Sequence, residues 1–197
     1  MSKDSDPRQQ IKAAINRLQP LPEAEWEAFA AQMTLKRYPK GAFLVKEGQV
    51  ENHIYFLNSG ATRHYFIRDG KEFTVDFQFA GDFVTAYYSL ITREPSAVYI
   101  TVLEEAEAWS IPFSALQYFY DRSKYSERIG RLIAEGEYVK RLRKEMSLLS
   151  LTAEERYTAL MARNPALVAR LSVKHLSSYL GIQPESLSRI RRQFGKS

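Results

Sequence analysis

Six basic side chains, Arg170, Lys174, Arg189, Arg191, Arg192 and Lys196, fall within the last 28 residues of the chain, against a single acid, Glu185. Guanidinium and ammonium groups gathered in this way suit one kind of chemistry. They neutralise phosphate oxygens, and an arginine also grips a planar acceptor edge with two parallel N–H donors. The local charge of +5 equals the formal net charge of the whole chain, so the other 169 residues carry 22 acids and 22 bases. A neutral body with a basic end is the footprint of a binder of nucleic-acid backbones; the competing reading is a solubilising helical tail.

The apolar residues say what must hold those charges in place. Leu176 and Leu180 lie four apart, and Leu187, Ile190 and Phe194 follow at intervals of three and four. Each set makes one narrow apolar face on a helix. Gly181 between them can take the positive φ of a sharp helix-to-helix corner, and Pro184 has the preset φ of a first helical turn. The spacing predicts a helix-turn-helix, a unit that lays its second helix in the DNA major groove.

Composition narrows the alternatives. The chain has 197 residues, 45% of them hydrophobic, enough for one medium domain and a small one. It has no cysteine, which removes disulfides, thiolate metal sites and cysteine nucleophiles. No nucleophile–base set, no metal-spaced His/Asp/Glu cluster and no P-loop is present, so neither an enzyme, a metal site nor a cofactor is expected. The N-terminal residues mix charge with apolar positions as no signal peptide does, and no run reaches the ~18 apolar residues of a membrane span. A soluble, cytoplasmic protein without membrane contact is the expectation.

Along the chain, Ile11, Ile15 and Leu18 mark an opening amphipathic helix, and Pro20 and Pro22 interrupt it before a second helix holding Trp26, Phe29 and Met33. Over residues 38–111 the period changes to two, most clearly where Phe73, Val75, Phe77 and Phe79 alternate with Thr74, Asp76 and Gln78. Gly41, Gly48, Gly60, Gly70 and Gly81 punctuate this region as turn signals of an antiparallel sandwich or barrel, with Asp69-Gly70 as a hairpin turn. Residues 97–103 and 108–111 supply closing strands, and Pro112 ends the β region. Helix follows. Tyr125, Ile129, Leu132, Gly136, Val139, Leu142, Met146 and Leu149 are spaced 4, 3, 4, 3, 3, 4 and 3, close to a heptad seam with a small residue at its centre. Such a seam needs a partner. Packing on the chain's own β-domain is one answer, and a parallel homodimer is the preferred one, since it would present two reading helices to a palindromic site. Thr152 with Glu155 is a capping box opening the next helix, and Asn164-Pro165 stops it. The fold class is α+β, with three segments: 1–112, helices and β-domain; 113–150, dimerisation helix; 151–197, helix-turn-helix domain.

This order of parts resembles the Crp/Fnr family of transcription regulators, over about residues 25–195. The residues that carry the resemblance are Pro39-Lys40-Gly41 with Gly48, Tyr55 through Gly60, Phe79-Ala80-Gly81-Asp82-Phe83 at the entry to a phosphate-binding cassette, and Ser177 through Gly181 at the helix-turn-helix corner. It implies a cyclic-nucleotide-binding-like β-roll, a homodimer, double-stranded DNA and RNA polymerase as partners, and room for an unidentified small-molecule effector. Haem, which some members carry, is not expected, because His53, His64 and His175 show no ligand pattern.

The family's cyclic-nucleotide binders place a Gly-Glu pair after the cassette entry and an Arg-Ser pair about ten residues on. Here Thr85 and Ala86 stand for the first pair, Pro95 and Ser96 for the second, and Arg93 comes two positions early. The cyclic phosphate thereby loses its bidentate arginine and the ribose its carboxylate acceptor. A degenerate pocket at Gly81, Asp82, Thr85, Ala86, Tyr87 and Ser96 that does not bind cAMP is expected. Matched onto the family, the recognition helix Pro184–Phe194 turns Leu187, Ile190 and Phe194 inward and leaves Glu185, Ser188, Arg189 and Arg192 toward a groove, with Ser186, Ser172, Lys174 and Lys196 available to phosphates. Glu185 and Arg189 match the acid and arginine that cyclic-AMP regulators aim at base edges, and also form an i, i+4 pair. Pro184 replaces a base-reading arginine of many relatives, so a different target is expected, and the few residues after Arg192 leave little room for a β-wing. The alternative is an effector- or protein-binding scaffold whose helix-turn-helix does not bind DNA specifically.

Overall fold

The computed structural model describes residues 6–163 and 165–194. In chain order it contains α1 (Gln9–Leu18), α2 (Glu23–Ala30), β1 (Thr34–Tyr38), β2 (Phe43–Val45), β3 (His53–Arg68), β4 (Lys71–Phe79), β5 (Phe83–Val84), α3 (Tyr87–Thr92), β6 (Tyr99–Pro112), α4 (Phe113–Tyr120), α5 (Lys124–Ser150), α6 (Ala153–Arg163), α7 (Pro165–Arg170), α8 (Val173–Leu180) and α9 (Pro184–Phe194). The strands form one six-stranded sheet in the order β1-β6-β3-β4, with β2 added to β6 and β5 to β3.

The long central strands depart from the sequence expectation. Residues 97–103 and 108–111 belong to one strand, β6, and Gly60 is not a turn between strands. It lies inside β3, with φ +88°, where the register against β6 shifts from Leu57 to Ala61. A bulge lets one strand stay paired through a bend, and such bends require a residue able to take a left-handed backbone. Asp69 and Gly70 do form the expected tight turn between β3 and β4, both at positive φ.

Two compact units emerge: residues 1–66 with 76–134, and residues 67–75 with 135–197. The tip of the β3–β4 hairpin thus belongs with the C-terminal helices, and the division falls inside α5.

In the first unit the sheet is buried on both faces. Phe56 and Ile111 join Trp26, Phe29, Phe119 and Ile129 in a core beneath the helices, while Tyr55 and Leu57, one residue either side of Phe56, join Val45, Val84, Ala86 and Ile100 in a second. Alternation along β3 therefore feeds two cores, so apolar residues run almost continuously through it. Strand β4 alternates less cleanly than its phenylalanines suggest. Phe73 is exposed, whereas Thr74 and Gln78 on the opposite side are buried.

In the second unit, Thr152 and Glu155 close the capping box with three hydrogen bonds of 2.7–3.3 Å at the start of α6. Asn164, expected to break that helix, lies outside the described residues. Arg156 anchors the end of α8 through Nε to the Leu180 carbonyl at 3.0 Å, and its Nη1 donates to the Leu151 carbonyl at 2.5 Å.

Candidate nucleic-acid interface and ligand cassette

The helix-turn-helix is built as its spacing requires. Ser172 caps α8, its hydroxyl accepting from the His175 N–H at 3.2 Å. Gly181 ends the helix in the left-handed conformation, φ 69° and ψ 35°, and the Ile182 N–H returns to the Ser177 carbonyl at 3.0 Å. Leu176, Leu180, Leu187 and Ile190 are buried together with Tyr157, Val168 and Leu171, which gives this small unit its own apolar centre. The side chain of Phe194, expected to point inward with them, lies outside the described residues.

Burying Leu187 and Ile190 turns the opposite face of α9 outward, and Glu185, Ser188, Arg189 and Arg192 are all exposed there, with Ser186 half-buried beside them. The Ser188 hydroxyl donates to the Pro184 carbonyl of its own helix at 3.0 Å, so it offers a groove only its acceptor lone pairs. Arg191 is the basic residue that composition counted and geometry removes. It is half-buried, and its Nη2 lies 3.5 Å from the Val168 carbonyl. Lys174 is exposed on α8, its ammonium 3.7 Å from the Glu72 carboxylate on the hairpin tip. Lys196 lies outside the described residues.

The cassette of the first unit is closed on itself. Gly81 turns at φ +96°, and the Asp82 carboxylate accepts from the Phe79 N–H at 2.9 Å, so the entry pair shapes the loop. Thr85 donates its hydroxyl proton to the His53 carbonyl at 2.9 Å. Ser96 is buried, donating to the Val98 carbonyl at 2.9 Å and accepting from the Val98 N–H at 3.1 Å. Ala86 is buried and brings no polar side chain. Tyr87, expected to line a pocket, is 53% exposed on the short helix α3, and Tyr88 beside it donates to Glu94. These two tyrosines face away from the interior that a pocket would need.

Arg93 belongs to the same loop. It ends α3 at φ +64°, and its Nη1 donates to the carbonyls of Glu51 at 2.8 Å and Leu90 at 3.1 Å, while Nη2 donates to Asn52 Oδ1. Its guanidinium thus holds the frame of its own loop. Sequence reasoning missed its neighbour Glu51, a carboxyl buried at the start of β3 whose Oε1 accepts from the N–H groups of Asn52 and His53, each at 2.8 Å. Burial pushes the Glu51 carboxyl above the ordinary carboxylate range, opposed by hydrogen bonds from the backbone of His53, Asn52 and Ala86. The Ala86 bond places an internal carboxylate at the start of the cassette helix. A lone acid before a strand carries no period or motif that would have revealed it.

Along α5 the seam divides. Ile129, assigned to the dimer face by spacing, is buried in the first unit's core beside Phe29 and Phe119. The close approach also occurs elsewhere than expected. A Cβ on Gly130 would lie 2.5 Å from the Tyr120 hydroxyl, whereas Gly136 has nothing within 4 Å. Beyond it Val139, Leu142 and Met146 are exposed, and Leu149 is 82% exposed, with Leu132 half-buried just before. The N-terminal part of the seam therefore packs on its own chain, and the C-terminal part stays open.

Residues 35–123 match the model of the cyclic nucleotide-binding domain. The chain is 30% identical over 175 residues to the anaerobic regulatory protein of Haemophilus influenzae, covering 82% of this chain and 66% of that protein's length. Its fold is similar to that of FixK2 from Bradyrhizobium japonicum, with a TM-score of 0.74 at 19% identity over 83% of this chain and 85% of that one. It is also similar to that of a transcriptional regulator of the Crp/Fnr family from Eubacterium rectale, with a TM-score of 0.70 at 16% identity over 89% and 84%. The antiparallel cassette domain, the long helix and the helix-turn-helix in this order, together with these likenesses, make the chain a member of the Crp/Fnr family of regulators.

Proposed function

We propose that the protein is a DNA-binding transcriptional regulator that works as a homodimer through the open part of α5, reads a palindromic site with α9, and does not use cAMP as its effector. The observation that carries this reading is the face of α9. Glu185, Ser188, Arg189 and Arg192 stand exposed together because Leu187 and Ile190 anchor the other side of the helix. Arg189 suits bidentate donation to guanine and Glu185 suits acceptance from a cytosine amine. Ser172 at the start of α8, Lys174 on α8 and Ser186 on α9 would meet phosphates. Bound beside a promoter, such a dimer would meet RNA polymerase as its protein partner.

Binding to double-stranded DNA by the wild-type chain should weaken steeply between ~50 and ~200 mM salt, as release of counterions from phosphates demands. On a site selected from a random duplex pool, Arg189→Ala should cost about 1–3 kcal/mol and relax the preference at one base position in each half-site. Fluorescence anisotropy on the selected duplex checks both. Affinity that ignores salt and survives the substitution would point instead to a scaffold that binds an apolar partner.

The cassette does not fit a cyclic nucleotide. The phosphate would find the Arg93 guanidinium committed to Glu51, Leu90 and Asn52, and it would meet the buried Glu51 carboxyl close to the backbone of Ala86. Lost hydration of the phosphate opposes binding there. Calorimetric titration with cAMP to about 1 mM is expected to give no binding isotherm; micromolar affinity would overturn this part of the reading.

A further inference from the structure

The β3–β4 hairpin tip is tied to the first helix of the reading unit by contacts that serve no evident purpose in the β-domain. The Ser178 hydroxyl on α8 accepts from the Thr74 N–H at 2.8 Å and donates to the Glu72 carbonyl at 3.2 Å, so one side chain satisfies both backbone groups of the strand edge. Lys144 donates to the Val75 carbonyl, and its ammonium sits 3.8 Å from the centre of the Tyr179 ring, joining strand, α5 and α8. Beside the clamp, the Glu72 carboxylate lies 3.7 Å from the ammonium of Lys174. Lys174 is in the first turn of α8, where backbone N–H groups and the helix dipole favour an anion.

We propose that the hairpin tip is a latch on the helix-turn-helix: Ser178 docks it, and Glu72 occupies Lys174 in place of a DNA phosphate oxygen. This rests on the DNA-binding reading and adds a regulatory contact to it. A carboxylate at this lysine is a stand-in for phosphate, and duplex binding must displace it before Lys174 can neutralise the backbone. The hairpin tip is joined to the cassette through the chain itself. Strand β4 starts at the docked tip and ends at Phe79, whose N–H is held by Asp82 of the cassette entry.

The experiment measures affinity of the full chain for a mixed-sequence 30-base-pair duplex as a function of salt. Glu72→Gln leaves the backbone clamp of Ser178 intact and removes the competing charge. It should bind about five-fold more tightly near 100 mM salt, with a slope of log K against log salt steeper by about 0.9, the value of one added phosphate contact. In a Lys174→Gln background the same change should have no effect. Ser178→Ala should also tighten binding and should speed hydrogen exchange at the Thr74 amide in the absence of DNA, which shows that the latch has opened without loss of fold. Unchanged or weakened binding in Glu72→Gln while the wild type binds with ordinary salt dependence would overturn the latch and leave the DNA reading intact. Failure of the wild type and every variant to bind duplex even at ~10 mM salt would overturn the DNA reading, and the latch with it.

Discussion

Leu142→Glu should convert the protein from dimer to monomer in sedimentation equilibrium and weaken binding to a palindromic duplex about 100-fold. Leu142 is 38% exposed on α5, flanked on the same seam by Val139, Met146 and Leu149, all exposed. In a parallel two-fold pairing each seam residue meets its own copy or a near neighbour, so one substitution places two carboxylates face to face in an apolar interface. Removing an interfacial charge from water without a partner costs about 3–5 kcal/mol, enough to dissociate a micromolar dimer. The DNA effect follows from valence. A monomer engages one half-site and loses the effective concentration that a linked second reader supplies, commonly worth 10²–10⁴ in affinity. Because Leu142 is not among the buried core residues, helical circular dichroism should be largely unchanged. A dimer that persists would relocate the interface.

Gly60→Ala is expected to lower the thermal midpoint by roughly 6–12 °C. The added Cβ would stand 2.5 Å from the Ala106 Cβ and 2.7 Å from the Glu105 carbonyl oxygen, and the backbone at φ +88° disfavours any side chain. Left-handed strain costs about 1–2 kcal/mol and overpacking between two central strands another 1–3; each kcal/mol moves the midpoint of a chain this size by about 2–4 °C. Gly41→Ala is the matched control. It shares the positive φ but meets nothing within 4 Å, so it should lose only the conformational part. Equal midpoints for the two variants would show that the bulge is not sterically closed.

Local physics made much of this protein legible. The Gly181 corner, the Ser172 cap, the Thr152–Glu155 box and the apolar anchors Leu187 and Ile190 are interactions within a few residues of one another, so spacing and residue type suffice to find them. The same holds for the Asp69-Gly70 turn. The residue types at Thr85, Ala86, Pro95 and Ser96, on which the proposal that cAMP is not the effector rests, are also read directly from the sequence. Where Arg93 turns was not, because its partners Glu51 and Asn52 are some forty residues away and reach it only once β3 and α3 are in place. For the same reason period alone could not tell that Ile129 is buried in its own chain while Leu142 is not. Both sit on one helical stripe, and what lies opposite each is set by distant parts of the chain.

The amino-acid sequence by itself determined the parts and their order: an antiparallel domain, a long seam helix and a basic helix-turn-helix whose outward face carries Glu185, Ser188, Arg189 and Arg192. Only the tertiary structure decided how those parts are used. It withdrew Arg191 and Arg93 into internal hydrogen bonds, divided the seam between a buried and an open half, and set Glu72 against Lys174 across more than a hundred residues of chain. Helix faces and caps follow from contacts between near neighbours in sequence, whereas the partner of a charged side chain depends on which surfaces folding brings together, and no spacing records that.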